Sequence, residues 1–319
     1  MDRKKVFITR KIPEASVEKL KEIFNVVVSP FDRDVTQDEI VKMTTGAQGM
    51  VSMVTNNLSK DIIDHLTTIK IIANYAVGFN NIDIEYAREK GIVVTNTPDV
   101  LTEATADIAM ALILCVARRI VEGDRLVRKG EFKGFYPTFF LGVELQNKVL
   151  GIYGMGRIGK AVATRAVTCG LKIIYHDTIH VAKGSITFPA HYVSFDELLK
   201  ESDFISIHAP LITETYHQFT NKEFRKMKKG AFLINAARGP LVKEEDLVYA
   251  LKQGWIAGAG LDVYEFEPEV HPDLIKLDNV VLLPHIGSAA SEVRERMATI
   301  AADNIIAFFK GEPPPNRVN

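Results

Sequence analysis

Short apolar runs alternate with amphipathic stretches along nearly the whole chain. Residues 6–9, 26–28, 50–54, 70–73 and 92–94 are predominantly apolar runs, as strands buried on both faces are. Between them, residues 14–24, 38–43, 60–66 and 84–90 repeat apolar side chains at helical spacing. Such β/α alternation predicts a parallel, doubly wound sheet, and this first array ends near Thr97-Pro98. Residues 102 to about 129 predict one long helix with Ile108, Ala111, Leu112, Cys115 and Val116 on its core face. The following segment, 130–146, reads as a surface loop in which Phe132, Phe135, Tyr136, Phe139 and Phe140 pack together. A second array opens at 148–153 and continues with strands at 172–175, 192–193, 204–207, 231–235, 256–261 and 280–283. A long amphipathic helix, 288–310, then returns the chain to the first array. The expected fold class is α/β, with two doubly wound parallel-sheet lobes. The outer lobe comprises residues 1–98 and 289–319, and the inner lobe 99–288.

Composition sharpens this only at the edges. A chain of 319 residues suits two domains. With 47% hydrophobic and 25% charged residues it is neither disordered, collagen-like nor a disulfide-stapled miniprotein. Lys and Arg number 39 against 40 Asp and Glu, so the net charge of −1 offers no general attraction to nucleic acid or an anionic membrane. No apolar run reaches the ~20 residues of a spanning helix. The basic start, Met1-Asp2-Arg3-Lys4-Lys5, lacks a signal-peptide core, so a cytoplasmic protein is expected. Cys115 and Cys169 read as free, small hydrophobes in apolar helical surroundings rather than a disulfide framework.

The first candidate chemistry is a glycine-rich turn. Strand 149–153 runs into Gly154-Met155-Gly156-Arg157-Ile158-Gly159, and a helix follows at 160–169. The first glycine permits the tight turn, the second lets the backbone approach a pyrophosphate, and the third lets helix pack on strand. The helix start adds N–H groups and a positive dipole end. The next strand ends at His176-Asp177, where an acidic residue would hold a ribose 2′-hydroxyl and repel a 2′-phosphate. The expected cofactor is therefore NAD. His180 and Lys183 leave room for NADP.

Three later strand ends carry an arginine, acids and a histidine: Arg238, Asp262 with Glu265 and Glu267, and His285. In an open α/β sheet these ends face the ligand crevice. Several further segments occur in order: Val77-Gly78-Phe79-Asn80-Asn81-Ile82-Asp83, Thr102-Glu103-Ala104-Thr105-Ala106-Asp107, His208-Ala209-Pro210-Leu211, Asn235-Ala236-Ala237-Arg238-Gly239, Gly260-Leu261-Asp262-Val263, Glu267-Pro268 and Pro284-His285-Ile286-Gly287-Ser288. With these the chain resembles, over essentially its whole length, the D-isomer-specific 2-hydroxyacid dehydrogenases, most of all their glyoxylate, hydroxypyruvate and 2-ketogluconate reductase branch.

The resemblance implies a Rossmann nucleotide-binding domain inserted in a flavodoxin-like substrate domain. It implies an oxidoreductase that reduces a small 2-oxo acid, glyoxylate or hydroxypyruvate first, to the D-2-hydroxy acid with NAD(P)H. Arg238 would bind the substrate carboxylate and polarise the 2-oxo group, a task that suits a planar, permanently charged fork. His285 would be the proton donor, and Glu267 would pair with it, orient it and favour its protonated form. The amides of Val77 and Gly78 would cradle the substrate carboxylate. Thr105, Arg157, Ile158, His208, Pro210, Ala236, Asp262 and Gly287 would join Gly154, Gly156, Gly159 and Asp177 around the cofactor. Residues 54–57 would edge the substrate pocket, and Glu265 would be a solvated neighbour of Glu267. A cleft between the lobes would close on the substrate and exclude water. A homodimer joined through the helix starting near Thr102 is expected, and no metal, since no His, Cys and Asp cluster has ligand spacing.

The departures from the family pattern are modest. Thr178 stands where many relatives have proline, the small residue plus arginine of NADP-preferring relatives is absent, and Asn74-Tyr75 and the segment near Phe139 bear on substrate size. D-lactate, 2-ketogluconate and D-3-phosphoglycerate dehydrogenase remain alternatives. An NAD-sensing corepressor-like binding protein is the alternative of another class, and turnover of 2-oxo acids separates it from an enzyme. Formate dehydrogenases carry an amide where Glu267 stands.

Overall fold

A computed structural model describes residues 3–178 and 184–319. His180 and Lys183, the positions singled out for NADP tolerance, lie outside them. The chain divides into two compact units, Met1–Leu101 with Ser288–Asn319, and Thr102–Gly287.

In the first unit the strands are β1 (Lys5–Ile8), β2 (Asn25–Val28), β3 (Ala47–Met53), β4 (Ile71–Tyr75) and β5 (Val93–Thr95). The helices between them are α1 (Glu14–Lys21), α2 (Gln37–Met43), α3 (Lys60–His65) and α4 (Ile84–Glu89). The sheet is wholly parallel, in the order β2-β1-β3-β4-β5, which is the flavodoxin-like arrangement. Phe7, Met50 and Ile72 face α2, α3 and α4 through Ile40, Ile62, Ile63 and Ala87. The opposite face is covered by α1 and by the closing helix of the chain (Ser291–Lys310), whose Ile305 and Phe309 lie against Gly49.

In the second unit the described strands are β6 (Val149–Tyr153), β7 (Lys172–His176), β8 (Ala190–Tyr192), β9 (Phe204–Ile207), β10 (Phe232–Asn235), β11 (Gly258–Leu261) and β12 (Val280–Leu282). Its helices are α5 (Thr102–Arg118), α6 (Ile120–Arg128), α7 (Arg157–Thr168), α8 (Phe195–Glu201), α9 (Asn221–Phe224) and α10 (Glu244–Lys252), and the closing helix is therefore α11. The parallel sheet runs β12-β11-β10-β9-β6-β7-β8, so the winding direction reverses between β6 and β9. Period-2 alternation divides its side chains. Ile205, Ile207 and Leu233 face α8, α9 and α10, whereas Phe204, Phe232 and Ile234 face α5 and α7. The inner strands β6, β9, β10 and β11 are covered on both faces, which is why they read as continuous apolar runs.

The single helix expected over 102–129 is broken. Arg119 takes a left-handed backbone with φ of 54°. The carbonyl of Ala117 accepts from Val143 N at 2.7 Å instead of continuing the helix. Arg119 itself pairs with Glu122 and lies over the Phe140 ring at 4.1 Å. The aromatic segment packs as expected only in part: the rings of Tyr136 and Phe139 lie 4.7 Å apart and those of Phe139 and Phe140 5.6 Å apart, whereas Phe132 is 57% exposed and Phe135 89%. Cys169 is exposed at the end of α7, and not in apolar surroundings. Among the described residues no helix is long and apolar enough to cross a membrane, and no three His, Cys, Asp or Glu side chains are grouped to hold a metal ion.

Candidate active site

The register of the seven-stranded sheet decides which residues meet. Tyr153 pairs with His176 on one side and Ile207 on the other, Ile207 with Asn235, Asn235 with Leu261, and Leu261 with Leu282. These residues form one row across the carboxyl ends of the strands. The chain leaves the sheet just past it, at Gly154, Asp177, His208, Ala236–Arg238, Asp262 and Pro284-His285. Residues more than a hundred positions apart are thereby delivered to one edge, and the reversal between β6 and β9 puts the crevice between Gly154 and His208.

The glycine turn has the three properties a pyrophosphate needs. Gly154 has φ of 97°, and a Cβ there would stand 2.7 Å from Ala209 N and 2.8 Å from the His208 carbonyl carbon, so only glycine fits. A Cβ at Gly159 would overlap the carbonyl oxygen of Gly154. Gly156 is exposed, with no other atom within 4 Å of where its Cβ would be. It caps α7, and Lys160 N donates to its carbonyl at 3.0 Å, leaving the first-turn amides of Ile158 and Gly159 without a partner inside the helix. Asp177 braces this turn by accepting from Met155 N at 2.8 Å. Across the crevice, His208 Nε2 meets Ser206 Oγ at 2.8 Å while its covered Nδ1 has no partner. Burial lowers the pKa of this imidazole to about 3, so it is neutral. An open turn, helix-start amides and an orphaned ring nitrogen fit a dinucleotide.

Beyond β10, Asn235 fixes the turn that presents Arg238: its Nδ2 donates to the Arg238 carbonyl at 2.8 Å and its Oδ1 accepts from Ala237 N at 3.1 Å. The Arg238 guanidinium donates to the Ala237 carbonyl at 2.7 Å. Its burial pulls its pKa downward and nearby Glu267 pushes it back; a guanidinium stays charged under both. Beyond β11, Asp262 is 1% exposed and accepts from Ile286 N and Gly287 N, each at 2.7 Å. Burial raises its pKa, and the two amides oppose that rise. This carboxylate holds the turn in which His285 adopts φ of 52°, an uncommon backbone for a bulky residue. Thr105 Oγ1 donates to the Gly287 carbonyl at 3.2 Å from the other side. His285 Nδ1 meets Glu267 Oε2 at 2.7 Å, and the other oxygen of Glu267 accepts from Tyr264 N at 3.0 Å. With Nδ1 committed to the carboxylate, Nε2 is the nitrogen left to face a substrate. The structure thus brings Arg238, Glu267, His285, Asp262, Thr105 and Gly287 together within the second unit.

Val77 and Gly78 lie in the first unit, in the loop after β4. Asn74 Nδ2 donates to the Gly78 carbonyl at 3.0 Å and Asn96 Nδ2 to the Val77 carbonyl at 2.8 Å. Asn81 pairs with Asn74 and also donates to the carbonyls of Met53 and Asn56. These amides grip the loop by its carbonyls, and the Val77 and Gly78 N–H groups donate to no described residue. Asn74 and Tyr75 are buried, with Tyr75 donating to the Arg294 carbonyl at 2.5 Å, so they shape the loop from behind. Asn56 is likewise buried and accepts from Thr9 Oγ1.

One expectation fails outright. Glu265 is not solvated: its side chain is 7% exposed, meets His217 Nε2 at 2.6 Å and accepts from Glu244 N at 2.8 Å. Glu244 and His217 were not singled out by the sequence at all. Their partners lie 21 and 48 positions away, and no local pattern announces such a pairing.

Residues 110–287 match the family described as D-isomer specific 2-hydroxyacid dehydrogenase, NAD binding domain. The chain is 50% identical over 319 residues to a glyoxylate reductase of Thermococcus litoralis, covering 99% of this chain and 96% of that one. It is 47% identical, with the same coverage, to a glyoxylate reductase of Pyrococcus horikoshii. Among solved structures, a glyoxylate reductase from Paecilomyes thermophila superposes with a TM-score of 0.89 at 33% identity, covering 100% of this chain and 99% of that one. An NADPH-dependent glyoxylate/hydroxypyruvate reductase from Sinorhizobium meliloti, in complex with NADP and malonate, gives a TM-score of 0.88 at 31% identity, with 99% and 97% covered.

Proposed function

Because the chain belongs to the D-isomer-specific 2-hydroxyacid dehydrogenase family, we propose that it reduces a small 2-oxo acid, glyoxylate or hydroxypyruvate, to the 2-hydroxy acid, of D configuration where the product is chiral. Relatives named for those substrates support this choice. The observation that carries it is the His285–Glu267 pair at 2.7 Å with Arg238 beside it, on the same sheet edge as the open glycine turn.

The second unit is the proposed cofactor domain and the first the substrate domain. NAD(P)H, when bound, supplies the hydride that reduces C2 of the substrate. The protein does the rest. Gly154, Gly156, Gly159 and the first-turn amides of Arg157 and Ile158 receive the pyrophosphate. Asp177 faces the ribose, with His208 and Pro210 on the adenosine side. Thr105, Ala236, Asp262 and Gly287 frame the nicotinamide end. Arg238 and the amides of Val77 and Gly78 bind the carboxylate, and Arg238 polarises the 2-oxo group. His285, oriented by Glu267, donates the proton that the substrate oxygen takes up as C2 is reduced, and accepts it in the reverse direction.

The assembly proposed is a cytoplasmic homodimer. Two observations support the dimer. Helix α6 buries none of its residues and exposes Ile120 and Val127, and the segment after it exposes Phe132, Phe135 and Leu141, an apolar surface of the kind that marks contacts. The free state of Cys115 and Cys169 agrees with a reducing compartment.

The test is oxidation of NADH and NADPH by the purified protein against glyoxylate, hydroxypyruvate, pyruvate and 2-ketogluconate. Turnover of one or two acids is expected, with glyoxylate or hydroxypyruvate foremost. Intact NADH binding with no turnover of any acid would transfer the assignment to a nucleotide-sensing binding protein.

A further inference from the structure

The loop that carries Glu267 is tethered by groups that touch neither substrate nor cofactor in the reading above. Glu244, in the first turn of α10, is 5% exposed and accepts from Glu265 N at 2.6 Å through one oxygen and from His271 N at 3.2 Å through the other. It therefore grips the loop on both sides of Glu267. Glu265 returns the contact, accepting from Glu244 N at 2.8 Å, and its second oxygen meets His217 Nε2 at 2.6 Å. His217 in turn donates its own amide to the Pro240 carbonyl at 2.8 Å, inside the short turn Gly239–Leu241 that follows Arg238. Gly239 is pressed so closely on the Tyr264 carbonyl that any Cβ there would overlap it. The turn behind Arg238 and the loop of Glu267 are thus joined twice, by that contact and by the chain His217–Glu265–Glu244.

We propose that His217, Glu265 and Glu244 form a positioning clamp that keeps Glu267 in register with His285 and with the turn of Arg238. Two carboxylates placed side by side and largely out of water are costly unless donors surround them. Here three backbone N–H groups and one imidazole do so. A carboxylate is the side chain for this task because both of its oxygens accept, whereas an amide turns one into a donor. His217 holds φ of 50°, a left-handed backbone that histidine, asparagine and aspartate adopt more readily than other non-glycine residues. The clamp rests on the reading of Glu267 and His285 as the proton-donating pair.

The test uses the full chain with His217→Asn, which suits the left-handed backbone but cannot reach Glu265, and Glu244→Gln, which sets a donor against a backbone N–H. Glu267→Gln is measured in parallel. For each, kcat and KM for glyoxylate, KM for NADH, the solvent deuterium isotope effect on kcat and the melting curve are recorded. Both clamp variants are expected to lose about tenfold in kcat, equivalent to ~1.4 kcal/mol, with KM for NADH within twofold and a larger isotope effect, because a misplaced donor makes proton transfer more limiting. Unchanged kcat and isotope effect in folded His217→Asn and Glu244→Gln, beside a changed Glu267→Gln, would overturn the clamp alone. An unchanged Glu267→Gln would overturn the proton-donor reading and the clamp with it. A loss shared equally with KM for NADH would overturn the clamp in favour of a general structural role.

Discussion

Two glycines of one turn should fail in opposite ways. At Gly159 a methyl group would overlap the Gly154 carbonyl oxygen and stand 3.0 Å from Ile152 Cγ2 and 3.2 Å from the Gly154 carbonyl carbon. The overlap is with backbone, so α7 must withdraw from β6. Overpacking of this kind costs about 1–3 kcal/mol, and at roughly 2–4 °C per kcal/mol for a unit of this size the melting temperature should fall by about 2–12 °C. At Gly156 the picture reverses. Its φ of −73° suits alanine, and nothing stands within 4 Å of the added methyl. The gain from a stiffer unfolded chain, about 0.4–1 kcal/mol, offsets a comparable loss of helix-capping preference. Stability should be unchanged to within about 0.5 kcal/mol. The methyl would instead occupy the space through which a pyrophosphate reaches the backbone. Losing one hydrogen bond to a charged group costs about 1.5–3 kcal/mol, which raises the dissociation constant for NADH by about ten- to a hundredfold. The single tryptophan, Trp255, lies in the second unit, so its fluorescence reports melting of the unit that holds this turn. NADH binding is followed by the fluorescence of the nicotinamide. Native-like NADH affinity in Gly156→Ala would refute the placement of the pyrophosphate, and a native-like melt in Gly159→Ala would refute the close packing of helix on strand.

Three other substitutions probe the rest of the edge. Arg238→Ala should leave NADH affinity intact and lower kcat/KM for glyoxylate by about 10²–10³, the scale of a lost buried charge pair of about 3–4 kcal/mol; near-native kinetics would remove Arg238 from the substrate site. Asp177→Asn retains an acceptor for Met155 N while removing the charge, so kcat/KM with NADPH relative to NADH should rise by about tenfold, ~1.4 kcal/mol of relieved repulsion; an unchanged ratio would place the ribose elsewhere. His208 carries a sign that can be worked out. Its pKa falls from 6.5 to about 3 on folding, so the unfolded chain takes a proton as pH drops below 6.5 and the folded chain does not. The stability it contributes is full above pH 6.5 and is lost between 6.5 and 3 at about 1.4 kcal/mol per pH unit. Discounting for the part of the ring that is exposed, wild type should lose about 1 kcal/mol more than His208→Gln between pH 7 and pH 5 in urea unfolding followed at Trp255. Equal losses would refute it.

Much of this was legible in the chain because the relevant signals are local. A four-residue apolar run with a turn after it is enough to place a strand of a two-faced sheet, and the residue after that turn is then at the ligand edge. Gly154, Arg238, Asp262 and His285 were found this way. What was not legible depends on partners distant in sequence. Arginine is a good helix former, so nothing at Arg119 announces a break; it arises because Val143 takes the carbonyl of Ala117 and Phe140 receives the guanidinium. Glu265 sits two residues before Glu267, and no local pattern shows that it has a buried partner of its own. His217 reaches it from 48 positions away and makes it half of a largely buried pair. The buried amides of Asn74 and Asn96 look in sequence like turn residues, and only the fold shows them holding the loop of Val77 and Gly78 by its carbonyls, with Asn81 paired to Asn74.

A single device recurs at the functional turns of the second unit, and it explains why so many acids crowd one sheet edge. Asp177 accepts from Met155 in the glycine turn. Asp262 takes two amides of the His285 turn. Glu267 spends one oxygen on Tyr264 N and the other on His285, and Glu244 spends both on the loop around it. Each carboxylate closes a turn whose amides would otherwise be unpaired, at a place where the chain has left the sheet and has no ladder to join. Rigid turns are what a site of this kind requires, because the proton donor and the carboxylate-binding groups must be in place before the substrate arrives. The proximity of an acid to the reacting centre is therefore weak evidence of proton transfer. Of these four carboxylates, Glu267 meets the histidine of the proposed proton-donating pair, Asp262 and Glu244 hold the backbone around that pair, and Asp177 holds the glycine turn.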